Sequence, residues 1–125
     1  MNLLLDTHAM LWWLDDNPTL STEARAAIGD GNNAVYVSAA TAWEIAIKAA
    51  LGKLDAPDNF EEALSANAFQ QLPISLAHAL AVGTLPAHHS DPFDRMLVAQ
   101  ARIEGLTLVT RDEDIIKYGV GVLEA

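Results

Sequence analysis

The stretch "DPFDRMLVAQARIEGLTLVTRD", residues 91–112, contains a helical pattern and a strand pattern separated by one glycine. Asp91 is a suitable N-cap, and Pro92 suits the first helical position because its missing N–H would have no partner there. The helical pattern ends at Gly105, a typical C-terminal stop. The run "LTLVT" is apolar on both faces, which is typical of a strand covered on both sides. This stretch therefore predicts a helix packed on a buried parallel sheet.

The same alternation extends along the rest of the chain. Four more apolar runs predict strands: residues 2–6, 34–38, 69–74 and 120–124. Helical patterns lie between them: residues 9–14, 21–28, 38–52, 58–67, 75–83 and 112–118. Strands of this kind spaced by helices indicate a parallel sheet with helices on both faces. We predict an α/β fold, a three-layer α/β/α sandwich with about five strands, as one domain over residues 1–125.

The composition limits the class of protein. Hydrophobic residues make up 51% of the 125 residues, and the mean hydropathy is +0.17, which argues against disorder. The chain has no cysteine, so disulfides and thiolate zinc sites are excluded. No apolar run approaches the roughly 20 residues that cross a bilayer, and the N-terminus lacks a signal-peptide pattern. We therefore expect a cytoplasmic protein with no membrane contact.

The net charge of −10, from 17 acidic and 7 basic residues, opposes one function in particular. Sequence-independent nucleic-acid binding normally depends on Lys and Arg that neutralise phosphates. Any assignment as a nuclease must explain how such an acidic chain holds its substrate.

Four acidic residues stand out by position. Asp6 and Asp112 follow predicted strands, and the carboxyl ends of parallel strands form the usual ligand crevice. Glu44 is the only acid between Gly31 and Leu54, on an otherwise apolar helix. Each has a simpler structural explanation: Asp6 and Asp112 suit a turn or a helix cap, and Glu44 suits an ion pair with Lys48 one turn later.

Asp94 is the fourth acid. It shares a helical face with apolar residues three, four and seven positions later, so the face that it occupies should pack on the sheet. Asp91 is better placed to cap the helix. Four carboxylates at one end of a sheet would repel one another unless a cation lay between them, and oxygen ligands without cysteine select Mg²⁺ or Mn²⁺.

Four blocks of this sequence, in order and spacing, resemble the PIN-domain family and most of all the VapC-type toxins of bacterial toxin–antitoxin pairs. The blocks are "LLLDTHAMLWWL" (3–14), "SAATAWEIAIKAALGKL" (38–54), "DPFDRMLVAQA" (91–101) and "LTLVTRD" (106–112). The resemblance covers nearly the whole chain and is weakest over residues 55–86. It implies a metal-dependent ribonuclease with strand order 3-2-1-4-5.

The resemblance also implies roles for particular residues. The acidic tetrad of the family corresponds to Asp6, Glu44, Asp94 and Asp112, with Thr110 as the hydroxyl residue that supports the last acid. The expected reaction is hydrolysis of RNA phosphodiester bonds by a water that Mg²⁺ or Mn²⁺ activates. The expected partners are an RNA substrate, a cognate antitoxin that blocks the site, and a second copy in a homodimer.

The charge problem leads to a hypothesis about RNA binding. We predict a small basic strip near the tetrad, formed by four residues close to it in sequence: Lys48, Lys53, Arg95 and Arg111. The roles of His8, His88, His89 and Asp91 stay open. The alternative function is a PIN-like binding module that no longer cleaves, which four intact acids argue against.

Overall fold

The computed structural model describes residues 1–125, and its centre is a sheet of five parallel strands. The spatial order of the strands is 3-2-1-4-5, and every neighbouring pair is parallel. The strands are β1 (Asn2–Leu5), β2 (Ala34–Ser38), β3 (Gln70–Leu72), β4 (Thr107–Thr110) and β5 (Val122–Glu124). The predicted class and strand order are confirmed.

Seven helices surround this sheet and connect its strands. They are α1 (Thr7–Leu14), α2 (Thr22–Gly29), α3 (Ala39–Ala50), α4 (Phe60–Ala66), α5 (Leu76–Val82), α6 (Pro92–Glu104) and α7 (Glu113–Ile116). None of them is long and apolar enough to cross a membrane. The helices and strands differ from the predicted bounds mainly at their ends. Strand β3, for example, ends before Pro73, which has no N–H to donate to a neighbouring strand.

The two faces of β1 explain why its sequence is apolar without alternation. Leu3 and Leu5 are fully buried in a core that includes α1, α2 and part of α3. Leu4 points to the opposite face and packs in a second core with α6 and α7. A central strand covered on both sides needs apolar side chains on both. The sheet is thus fixed by burial on two faces, with its carboxyl ends left open at one edge.

Helix α6 forms as its sequence predicts. The Asp91 side chain accepts hydrogen bonds from the backbone N–H groups of Phe93 (2.8 Å) and Asp94 (3.2 Å), and so it caps the helix. Leu97 and Val98 are buried against the sheet, as the apolar stripe requires. Gly105 ends the helix in the left-handed conformation, with a φ of 67°. These local signals place Asp94 in the first turn of α6, over the edge of the sheet.

Replacing Gly105 with alanine should test the helix stop. No atom lies within 4 Å of an added Cβ, so the cost comes from the left-handed backbone alone. We expect Gly105→Ala to lower the free energy of unfolding by about 1 kcal/mol, measured by urea denaturation. Gly31→Ala is the matched control, because Gly31 also has open space but no positive φ. Equal stability of the two variants would contradict this account of the stop.

Candidate functional site

An acidic cleft of about 350 Å³ opens at the carboxyl edge of the sheet. It receives side chains from β1, α1, α3, α6, the start of α7 and the loops between them. The residues that line it are Asp6, Thr7, His8, Trp12, Glu44, Lys48, His89, Asp91, Asp94, Arg111 and Asp112. All four acids singled out in the sequence are among them, although up to 106 positions separate them along the chain.

Asp6 and Asp112 enter the cleft from the ends of the neighbouring strands β1 and β4. Each is also a helix cap: Asp6 Oδ1 accepts from Ala9 N at 2.8 Å, and Asp112 Oδ1 accepts from Asp114 N at 2.8 Å. The simpler explanation for these acids is therefore correct, yet it does not compete with the functional one. A cap uses one carboxylate oxygen and leaves the other directed elsewhere.

Thr110, the last residue of β4, connects these two acids. Its hydroxyl oxygen accepts a hydrogen bond from Asp112 N at 3.1 Å, which fixes the backbone where the strand turns into α7. Burial raises the pKa of Asp6 above its usual value, and the Thr110 hydroxyl and the Ala9 N–H partly offset that rise. Thr110 is itself fully buried. It thus supports both acids from beneath the cleft.

Glu44 reaches the cleft from α3, and only 5% of the residue is exposed. Its Oε1 accepts a hydrogen bond from the Thr7 hydroxyl, and its Oε2 lies 2.7 Å from Lys48 Nζ. The i,i+4 pair with Lys48 is present, as the simpler explanation proposed, but it lies in the cleft wall. Its hydrogen bond with Glu44 raises the pKa of Lys48 above its usual value.

Asp94 is an acid of the cleft whose charged form is strongly disfavoured. Its side chain is 20% exposed, and no backbone N–H donates to it. Burial, and then the neighbouring charge of Asp91, raise the pKa of Asp94 to about 7, against the lowering effect of His89. The charged form of Asp94 is thus disfavoured first by burial and then by the neighbouring carboxylates.

The comparison with known families identifies the family of the chain. A family model described as "PIN domain" matches residues 3–121. The chain belongs to the PIN-domain family. The resemblance noted in the sequence is therefore confirmed over nearly the full length. Among curated proteins, none matches the chain in sequence.

Solved structures show that this PIN domain shares its fold with several known proteins. VapBC2 from Rickettsia felis, solved with a DNA fragment from its promoter, is 15% identical with a TM-score of 0.72, covering 98% of both chains. VapBC-1 from nontypeable Haemophilus influenzae is 20% identical with a TM-score of 0.65, covering 99% of this chain and 98% of that one. FitAcB from Neisseria gonorrhoeae is 21% identical with a TM-score of 0.64, covering 98% and 96%. At these identities the likeness concerns the fold.

A histidine that the sequence left without a role lies between two acids of this PIN domain. His89 Nε2 is 3.0 Å from Oδ2 of Asp94 and 3.0 Å from Oδ2 of Asp112, with hydrogen-bond geometry towards Asp112. Its other ring nitrogen, Nδ1, accepts a hydrogen bond from Asp91 N at 3.1 Å. The proton of a neutral ring is therefore on Nε2, and a charged ring also has one there. His89 donates to Asp112 in either state.

The charges around His89 shift the pKa values of the whole group. Burial lowers the pKa of His89, but the hydrogen bond to Asp112 and the nearby carboxylates outweigh it and raise the pKa above its usual value. Burial likewise raises the pKa of Asp112, but the hydrogen bonds from His89 and from backbone N–H groups outweigh it and lower the pKa. His89 and Asp112 thus stabilise each other's charged forms, whereas the charged form of Asp94 stays disfavoured.

The predicted basic strip is not assembled at this cleft. Lys48 and Arg111 line it, whereas Lys53 is exposed outside it and Arg95 points into the loop before α6. The Arg95 guanidinium donates to the backbone oxygens of Val82 and Pro86, each at 3.0 Å, and to the Tyr118 hydroxyl at 3.1 Å. Closeness to Asp94 in the sequence did not predict where the Arg95 side chain points, because acceptors outside the cleft hold its guanidinium.

Arg95 has a structural part in placing His89. It donates to the His89 carbonyl oxygen at 3.3 Å, and the Tyr118 hydroxyl that it contacts accepts from His89 N at 3.0 Å. The loop that carries His89 is therefore held from behind by two side chains of other elements. The sequence signal for His89 was its position two residues before the capping Asp91, but nothing in one sequence distinguishes it from the adjacent His88.

Proposed function

We propose that this protein is a divalent-cation-dependent endoribonuclease and the toxin component of a toxin–antitoxin pair. One observation supports this above the others: four carboxylates, from β1, α3, α6 and the start of α7, line a single cleft in a chain of the PIN-domain family. This convergence does not stabilise the fold, because burying carboxylates near one another costs free energy. A cation that binds them offsets that cost.

The donor set fits Mg²⁺ or Mn²⁺. It consists of carboxylate oxygens in a cleft that also admits water, which suits cations that keep part of their hydration shell. The chain's own cations in the cleft, Lys48 and Arg111, do not prevent the rise in the pKa of Asp94 to about 7. Asp6 and Asp94 would be the main ligands, with Glu44 and Asp112 binding directly or through water.

The bound cation would supply a Lewis acid for the phosphate and lower the pKa of a water molecule nearby. The protein's own groups do the rest. Thr110 and Thr7 hold the carboxylates of the cleft in place, and His89 donates a hydrogen bond to Oδ2 of Asp112, which directs that oxygen. Asp6 and Glu44 are buried at the floor of the cleft. The residues thus fix the oxygens that would hold a cation.

The proposed protein partners, a second copy and a cognate antitoxin, are supported by surfaces left uncovered. Three apolar side chains spaced one turn apart along α3 and its C-cap are exposed: Trp43 is 59% accessible, Ile47 38% and Leu51 62%. A separate groove of about 680 Å³ lies between α3, α4 and β3 and is lined mostly by hydrophobic residues. Exposed apolar surfaces of this kind mark protein interfaces. The structural neighbours VapBC2, VapBC-1 and FitAcB have the same fold.

Removing the cation tests the enzymatic proposal. We expect the purified protein to cleave total cellular RNA in Mg²⁺ or Mn²⁺, to stop when EDTA is added, and to resume when the cation is restored in excess. Gel electrophoresis of the RNA is the measurement. A preparation of the Asp94→Asn variant, purified identically, controls for contaminating ribonuclease. Cleavage that continues unchanged in EDTA, or no cleavage with either cation, would contradict the proposal and favour a PIN-like binding module.

A further inference from the structure

The acidic cleft has few cations left with which to bind RNA phosphates. Of the two basic residues that line it, Lys48 is paired with Glu44 at 2.7 Å. Arg111 donates through Nε to the Ala125 carbonyl oxygen at 2.8 Å and through its terminal nitrogen to Thr19 O at 2.6 Å. With a net charge of −10 on the chain, long-range attraction of RNA is also absent. Beyond what a bound divalent cation contributes, affinity for RNA must therefore come from contacts that do not depend on phosphate charge.

One wall of the same cleft consists of flat groups stacked on one another. The rings of His8 and Trp12, one helical turn apart on α1, are 5.7 Å apart and inclined by 23°. The Arg111 guanidinium lies 4.7 Å from the centre of the Trp12 ring. All three groups line the cleft together with the four acids, and His8 is exposed. This wall, formed by His8, Trp12 and Arg111, is termed the stacked wall.

The two tryptophans of α1 differ in a way that points to a ligand. The Trp13 indole N–H donates to Asn67 Oδ1 at 3.0 Å, and its ring packs near Phe69. The Trp12 indole N–H has no acceptor in the protein, although its ring is half-buried in the cleft wall. Tryptophan side chains that are partly buried normally find a partner for that group. Trp12 therefore offers an unpaired N–H donor to whatever occupies the cleft, while its ring supports the exposed ring of His8.

We propose that the stacked wall is a subsite for a nucleobase of single-stranded RNA, next to the phosphate that the acids address. This inference rests on the proposed ribonuclease function. Unpaired bases stack on aromatic rings and on the planar face of arginine side chains. This stacking does not require a net positive charge on the protein. The stacked wall and the acids share one cleft. When an RNA phosphate lies at the acids, the adjacent base therefore lies against the rings.

The test uses the Asp94→Asn protein as parent, so that the RNA stays intact, and a short fluorescein-labelled oligoadenylate in Mg²⁺. Fluorescence anisotropy gives the dissociation constant. We expect His8→Ala on this parent to bind about tenfold more weakly, and His8→Phe to restore most of the affinity, because phenylalanine keeps the ring. His88→Ala is the matched control: His88 is another exposed histidine that does not line the cleft.

The salt dependence of binding provides a second, independent readout. For single strands, the logarithm of the affinity falls by about 0.7 per phosphate contact for each unit in the logarithm of the salt concentration. With only two cations in the cleft, we expect a slope no steeper than about −1.4. An oligonucleotide of the same length without bases should bind about as weakly to the parent as oligoadenylate binds to His8→Ala.

The outcomes separate this inference from the proposed function. If the wild-type protein cleaves RNA but His8→Ala binds oligoadenylate as tightly as its parent, the nucleobase subsite is refuted, and the rings belong to a protein contact. A slope of about −3, typical of four phosphate contacts, or no binding by the parent would also refute it. If the wild-type protein cleaves no RNA with either cation, the proposed function itself fails.

Discussion

Asp94→Asn is expected to abolish RNA cleavage, lowering the rate by at least about 100-fold. Asp94 is the informative acid because it caps no helix and accepts no backbone hydrogen bond, so the amide removes charge without removing a contact with the backbone. A divalent cation contributes several kcal/mol of charge stabilisation to phosphate hydrolysis, and loss of a main ligand forfeits much of it. The measurement is the rate of cleavage of total cellular RNA in Mg²⁺ and in Mn²⁺.

The same substitution should make the cation-free protein more stable. The pKa of Asp94 is about 7 in the folded protein, against 3.8 for an unperturbed carboxyl. A carboxyl whose pKa is higher when folded loses stability as the pH rises from about 4 to about 7, because the charged form then has to be buried. Asparagine has no such loss. We expect a gain of about 2 kcal/mol at pH 8 in EDTA, allowing for the partial exposure of the side chain.

Urea denaturation at pH 4 and at pH 8, both in EDTA, measures this effect, with the difference expected to vanish at the lower pH. An exposed acid outside the cleft, changed as Asp58→Asn, serves as the control and should alter neither cleavage nor stability. Full cleavage by Asp94→Asn would refute the assignment of this acid. An inactive variant that is also less stable than wild type at pH 8 would show that Asp94 acts through the fold.

His89→Ala should weaken Mn²⁺ binding by about 10- to 100-fold, the range seen when a residue that orients a metal ligand is removed. His89 lies 3.0 Å from both Asp94 and Asp112, and its Nε2 proton directs the Asp112 carboxylate. Without His89 the two carboxylates can rotate away from each other. Binding of the cation then includes the unfavourable free energy of ordering them. Isothermal titration calorimetry with Mn²⁺ gives the affinity without any dependence on cleavage.

His89→Gln distinguishes orientation from general loss of structure. Glutamine retains a side-chain N–H donor at a similar reach but has no ring, so most of the Mn²⁺ affinity should return. His88→Ala, which removes an exposed ring stacked edgewise on Tyr118, should leave the affinity unchanged. Mn²⁺ binding by His89→Ala that is equal to or tighter than wild type would mean that His89 competes with the cation or does not affect it.

The fold could be predicted from local signals because these signals and the burial pattern agree. The cap at Asp91, the stop at Gly105 and the apolar stripe of α6 each specify the same helix. The predicted elements differ from the observed ones mainly at their ends. Strand β3, for example, ends before a proline. Parallel strands in a fixed order then bring their carboxyl ends to one edge, which is why acids far apart in sequence reach one cleft.

The electrostatics of the cleft could not be predicted in the same way. Whether Arg95 faces the cleft or the loop behind it depends on the hydrogen-bond acceptors that the fold places within reach of its long side chain. His88 and His89 are indistinguishable in sequence, yet only the second lines the cleft. Side-chain direction in loops is set by tertiary contacts, which single-sequence patterns do not contain.

Asp6 and Asp112 each divide their two oxygens between different tasks, since Oδ1 of each accepts from the backbone at the start of a helix. An alanine scan of these two positions would therefore confound loss of chemistry with loss of a cap, which by itself costs about 1 kcal/mol. Amide replacements remove the charge but keep one side-chain oxygen, which still accepts from the backbone N–H groups at the helix start. In a genetic screen for inactive alleles, asparagine at these sites should yield protein that accumulates normally, whereas alanine should yield protein prone to degradation.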